Sequence, residues 1–188
     1  MKTKQQLLLA VLSILCLPMF AQMTISDVKL PATQEINGAT LSLNGGGLRE
    51  KLWIDLYVGG LYVTTKTSDA KTIVNADEAM NMHIEIVSGM ITREKFLSAV
   101  NEGFENSTNG NTGKFIEEIP AFIAAFKDEI VKGDKIDISY DPSMGVVVFK
   151  NGKMLTSIRG LEFKKALFAI WLGDKPADKN LMNGMLGK

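Results

Sequence analysis

Arg49 stands out among the side chains that could do chemistry, because it follows the run Gly45-Gly46-Gly47 and leads into a long alternating apolar stretch. A guanidinium placed there sits at the rim of a sheet, and its planar fork of donors matches a carboxylate bidentately. From position alone, a strand-edge arginine paired with a surface acid such as Glu50 is the commoner arrangement. Tyr62, further along the same stretch beyond Gly59-Gly60, offers a second donor, against the plainer reading of a half-buried strand aromatic.

Other chemistries fall away. His83 is the only histidine, which excludes a paired-histidine zinc site, and in an alternating strand it reads as a surface residue. Asp137, Ser139 and Asp141 are spaced like the start of a calcium loop, yet Pro142 takes the required glycine position and Val148 the bidentate glutamate position. Asn44-Gly45-Gly46-Gly47 lacks the dinucleotide spacing and the phosphate-binding lysine, so it reads as a turn unless something approaches its backbone closely. No metal and no cofactor are expected.

The elements that must position Arg49 follow a first segment of a different kind. Lys2 and Lys4 precede an apolar run from Leu7 to Leu17, and Pro18 and Ala21 follow, the pattern of a secretory signal peptide over residues 1–21. That run falls short of the roughly 20 apolar residues a membrane span needs, so export to the periplasm or beyond is expected, with no stable membrane anchor. Cleavage would leave one domain, residues 22–188, able to bury roughly 70% of its unfolded surface, and would remove Cys16, the only cysteine. Without Lys2 and Lys4, 19 basic residues face 21 acidic ones, a net charge of −2 that gives nucleic acid or an anionic membrane no overall attraction.

Period-two alternation predicts strands around Met23–Leu30, after the Asn37-Gly38 turn, over Lys51–Thr65 with a bend at Gly59-Gly60, and at Met82–Ile86. Thr92 reads as the N-cap of a helix running to about Glu105, with Phe96, Val100 and Phe104 as its apolar stripe. A second helical segment carries Ile116, Ile119, Phe122, Ile123, Phe126 and Ile130, kinked or restarted at Pro120 and capped by Gly133. A three-strand meander follows, turning at Asp141-Pro142 and Asn151-Gly152, and two helices close the chain, one ending at Gly173 and one after Pro176. This order implies an antiparallel α+β domain with helices on one face of the sheet.

Four phrases carry a family likeness: GGGLREKLWIDLYVGGLYV at 45–63, EGFENS at 102–107, KGDKIDISYDPSMGVVVFKNGK at 132–153 and FKKALFAIWLGDKPADKNLMNGMLG at 163–187. Together they resemble the bacterial chalcone-isomerase-like proteins. The resemblance implies the chalcone isomerase fold, a large antiparallel sheet covered on one face by helices as an open-faced β-sandwich, with a ligand cleft between the layers. It assigns Arg49, and with it Tyr62, to that cleft as binders of a fatty acid or similar hydrophobic carboxylate. The hydrogen-bonding positions of the plant isomerases fall on Phe96, Gly103 and Ala169 or Ile170, none of which can orient a substrate. An exported binding protein is therefore expected, with an intramolecular lyase or isomerase as the alternative.

Overall fold

The computed structural model describes residues 22–188; the expected signal peptide, residues 1–21, with Cys16, lies outside the described residues. The chain runs β1 (Met23–Ile25), β2 (Val28–Leu30), β3 (Thr33–Ile36), β4 (Ala39–Lys51), β5 (Ile54–Val63), α1 (Ala70–Asn75), β6 (Met80–Ile86) and α2 (Arg93–Ser107). A 3-10 turn (Thr112–Phe115) leads to α3 (Glu118–Ala125), β7 (Lys135–Asp141), β8 (Gly145–Lys150), β9 (Lys153–Ile158), α4 (Leu161–Leu172) and α5 (Lys179–Met185).

Strands β3 to β9 pair in sequence order, every neighbour antiparallel, giving one seven-stranded sheet, while β1 and β2 form a separate hairpin. Antiparallel neighbours need only short connections, which is why turn residues recur between apolar runs. At Asn151-Gly152 both residues have positive φ (52° and 79°), matching the expected tight hairpin.

Helices cover one face of the sheet. Phe96, Val100 and Phe104 of α2, Phe122 of α3 and Phe163 and Leu167 of α4 bury against Leu61, Met82, Ile84 and Ile138. Burying each such side chain contributes about 1.5–3 kcal/mol, so the periodic stripes read from the sequence fix which helix faces turn inward. Thr92 caps α2, its hydroxyl accepting from Lys95 N at 3.3 Å, a contact worth about 1 kcal/mol. On the reverse face the β1–β2 hairpin covers a second, smaller cluster of Leu30, Leu41, Leu43, Val58 and Tyr62.

Several expected boundaries move. The first strand is two strands, folded at Ser26 and Asp27, both with positive φ. Gly45-Gly46-Gly47 is no turn: it lies inside β4, and a side chain at Gly45 would stand 2.2 Å from Gly184 O. Helix α5 therefore rests its backbone directly on the strand, and Asn44 locks it by donating to Met185 O at 2.7 Å. Gly59 and Gly60 lie inside the continuous strand β5; they pair with Gly47 and Gly46 and make room for Met185 on one face and Leu30 on the other. Of the two outcomes expected at Pro120 the restart is found: after the 3-10 turn a new helix begins at Glu118, with Pro120 in its first turn, where its missing N–H is harmless. Gly133 caps no helix, since α3 ends at Ala125; its φ of 91° serves the turn into β7.

Candidate functional site

Arg49 lies near the open end of β4, paired across the sheet with Tyr57 of β5. Directly opposed residues of antiparallel strands share a face, so both side chains point toward the helices. The Arg49 guanidinium carbon stands 5.5 Å from the centre of the Tyr57 ring, within cation–π range. Beneath it Trp171 Nε1, from α4, donates to the Tyr57 hydroxyl at 2.8 Å, fixing the ring. Burial raises the Tyr57 pKa above its usual value, although the Arg49 charge and the Trp171 hydrogen bond oppose the shift. The phenol stays neutral and can offer hydrogen-bonding capacity beside a fixed positive charge.

This pair opens onto a slot of about 450 Å³ between the β4–β5 hairpin and the start of α2. Leu52, Ile54, Leu56 and Tyr57 line one wall, and Ile91, Phe96 and Ala99 the other. A smaller recess of about 240 Å³ continues on the far side of Arg49, bounded by Glu102, Asn106 and Lys175. None of the ion pairs among the described residues includes Arg49. A half-buried guanidinium in no ion pair among the described residues, between an apolar slot and a polar recess, has the donors to take an anionic head and the apolar surface beside it to cover a tail.

Tyr62 does not share this site. It lies five residues beyond Tyr57 on an uninterrupted stretch of β5, so it projects from the reverse face, into the cluster under the β1–β2 hairpin. Its hydroxyl is buried with no hydrogen-bond partner among the described residues. Burial, with the Asp137 charge adding to it, pushes its pKa far above the usual tyrosine value. The tyrosine that accompanies Arg49 is Tyr57, and a bulge hides it from sequence reading. Glu50 pairs with Asp55 and Arg49 with Tyr57, leaving Leu56 as an extra residue that reverses the alternation. The signal that could have found it is the two-residue turn at Leu52-Trp53, from which counting back along both strands brings Tyr57 to Arg49.

His83 is not the surface residue its pattern suggests. It is buried on the reverse face, Nδ1 standing 2.8 Å from Asp137 Oδ1. Asn81 donates to the same carboxylate oxygen at 2.9 Å and to Gln34 Oε1 at 2.7 Å, and Ser139 donates to Asn81 Oδ1 at 3.1 Å. Burial would raise the Asp137 pKa, but the His83 and Asn81 hydrogen bonds outweigh it and hold the carboxyl below its usual range. The group is closed on itself and does not reach the slot. Asp137 and Ser139 thus belong to a strand network, not to a calcium loop.

The positions that the resemblance matches to the polar groups of the plant isomerases are filled by apolar packing. Phe96 is buried along the slot wall, and a side chain at Gly103 would come within 2.6 Å of Ile170 Cγ2. Glycine at 103 lets α2 and α4 approach, and Ile170 occupies the space between them.

The family described as chalcone isomerase-like matches this chain over residues 22–187. Among solved structures, the crystal structure of a fatty-acid binding protein from Arabidopsis thaliana superposes with a TM-score of 0.70 at 21% identity, covering 88% of this chain and 96% of that one. Comparison with curated protein sequences returns no match.

Proposed function

The chain belongs to the chalcone isomerase-like family, and from that premise we propose that it is exported and binds a fatty acid or similar hydrophobic carboxylate in the slot between sheet and helices. The observation that carries this reading is Arg49, whose guanidinium lies over Tyr57, has no acidic partner among the described residues, and faces an apolar slot. The fatty-acid binding protein of the same fold supports the ligand class. The carboxylate takes the guanidinium fork, the Tyr57 hydroxyl lies next to it, and the tail runs between Leu56 and Phe96 toward the hairpin tip. Each buried methylene contributes about 0.8 kcal/mol, so chain length sets affinity and Arg49 sets orientation.

The positions that the resemblance matches to the polar groups of the plant isomerases hold Phe96, Gly103 and Ala169 or Ile170, which favours binding over catalysis. The test is the fatty acid retained by the purified protein, measured by mass spectrometry, beside Arg49→Ala. Loss of carboxylate ligand with an unchanged melting temperature is expected. Equal retention by both proteins, or chalcone cyclisation abolished in the variant, would overturn the reading.

A further inference from the structure

Both lips of the slot mouth end in exposed apolar side chains. At the apex of the β4–β5 hairpin Leu52 is 76% and Trp53 89% exposed, and across the opening Met90 is 53% exposed. Such residues rarely cluster on a soluble surface without a partner. The apex is also unusual in its backbone, because Leu52 and Trp53 have φ of 52° and 62° in a two-residue turn where Asn-Gly is the comfortable choice. The turn holds two bulky apolar groups outward at the end of a rigid hairpin.

Charge is sorted around the same tip. Arg49 and Lys51 line the slot, while Asp55, paired with Glu50, turns to the reverse side; Glu50 itself borders the polar recess beyond Arg49. On the reverse side Asp55 accepts from Ser26 Oγ at 3.0 Å. Lys95 stands on the opposite lip, so three cations face the slot against Glu102 alone. The mouth is locally basic in a chain whose formal charge is zero. Tryptophan at an apolar tip flanked by lysines is the chemistry of a lipid–water interface, the ring sitting at headgroup depth and the ammonium groups reaching anionic phosphates.

We propose that the Leu52-Trp53 apex and Met90 dock the slot mouth reversibly on an anionic lipid bilayer, so that an acyl ligand passes between membrane and slot without crossing water. No helix among the described residues is long and apolar enough to cross a membrane, and the docking is peripheral. The proposal deepens the binding function above and rests on it for the identity of the cargo.

The test uses intact protein and vesicles of phosphatidylcholine with or without phosphatidylglycerol. The sequence holds two tryptophans, and Trp171 is buried, so an emission change reports Trp53. The expected result is a blue shift and cosedimentation with anionic vesicles, both abolished by Trp53→Ser with Leu52→Ser. Lys51→Glu with Lys95→Glu should weaken binding at least tenfold. Fatty-acid binding in vesicle-free solution is measured in parallel for each variant. Docking is overturned if solution binding is intact and no shift occurs, or if Trp53 is already shifted without lipid in a larger species, which would mark the tip as a contact between copies. Vesicle binding that persists in a protein unable to hold fatty acid would support the docking surface and sink the cargo assignment alone.

Discussion

On the helix-covered face, Arg49 looks into a slot of about 450 Å³ with no carboxylate paired to it, whereas on the reverse face Asp137 is held by His83 at 2.8 Å and Asn81 at 2.9 Å. Both groups are charged and both are partly or wholly covered. They differ in closure. A buried polar group satisfied by its neighbours stabilises one strand arrangement and has nothing left to offer a ligand. A cation left facing apolar space keeps its hydrogen-bonding capacity for something that arrives later. Lys164 shows that closure, and not the face of the sheet, makes the distinction. It is fully buried among the helices, yet its Nζ donates to Ile73 O, Val74 O and Ala76 O at 2.8–3.0 Å, capping the end of α1.

Four substitutions test that distinction, beginning with the largest effect. Lys164→Met leaves three carbonyls without a donor and is expected to cost about 2–3 kcal/mol in chemical denaturation. Burial depresses the Lys164 pKa from 10.5 to about 8, so between those values the unfolded chain binds more protons than the folded one. Stability therefore rises with pH across that window, and the variant should lose the rise. A pH-independent difference between the two proteins would contradict this account.

Asp137→Asn is next, at about 1–2 kcal/mol near neutral pH. Because the folded-state pKa of Asp137 lies below its unfolded value, its contribution is present above the ordinary carboxylate range and fades as pH falls through the folded value. Acid unfolding curves of the two proteins should converge at low pH, with ligand binding unchanged throughout. Tyr57→Phe removes the acceptor of Trp171 Nε1 and should cost about 1 kcal/mol of stability while weakening fatty-acid binding, as read by calorimetry. Tyr62→Phe removes a buried hydroxyl that has no partner among the described residues, so stability should stay within about 0.5 kcal/mol or rise, with binding unaltered. A loss of ligand in Tyr62→Phe but not in Tyr57→Phe would reverse the assignment of the two tyrosines.

Much of the fold could be read from pattern, because burial by one face leaves a periodic trace. The stripe Phe96, Val100, Phe104 and the cap Thr92 forecast α2, and the turn dipeptides Asn37-Gly38 and Asn151-Gly152 fall between the strands they were expected to join. Where a residue is buried on both sides, the trace vanishes. β6 is buried along nearly its whole length, so alternation made His83 look exposed when a neighbouring strand covers it with Asp137. The hairpin apex was missed for a different reason: Leu52-Trp53 has the composition of a strand, not of a turn, and its positive φ values are not written in its residue types.

Arg49 could be singled out from the sequence, since a guanidinium between a glycine run and an apolar strand limits what can surround it, and the structure sets it over Tyr57 at the edge of the slot. Its partner was beyond reach. A single extra residue at Leu56 changes the phase of β5, turning Tyr57 toward the helices and Tyr62 away from them. Residue order thus determined most of the elements, the meander of β7 to β9 and the presence of a cation at the sheet's open end, because these depend on local periodicity and turn chemistry. Tertiary structure alone decided which tyrosine faces Arg49, that α5 closes onto Gly45, and that His83 is consumed by Asp137, since each depends on register and contact between segments far apart in the chain.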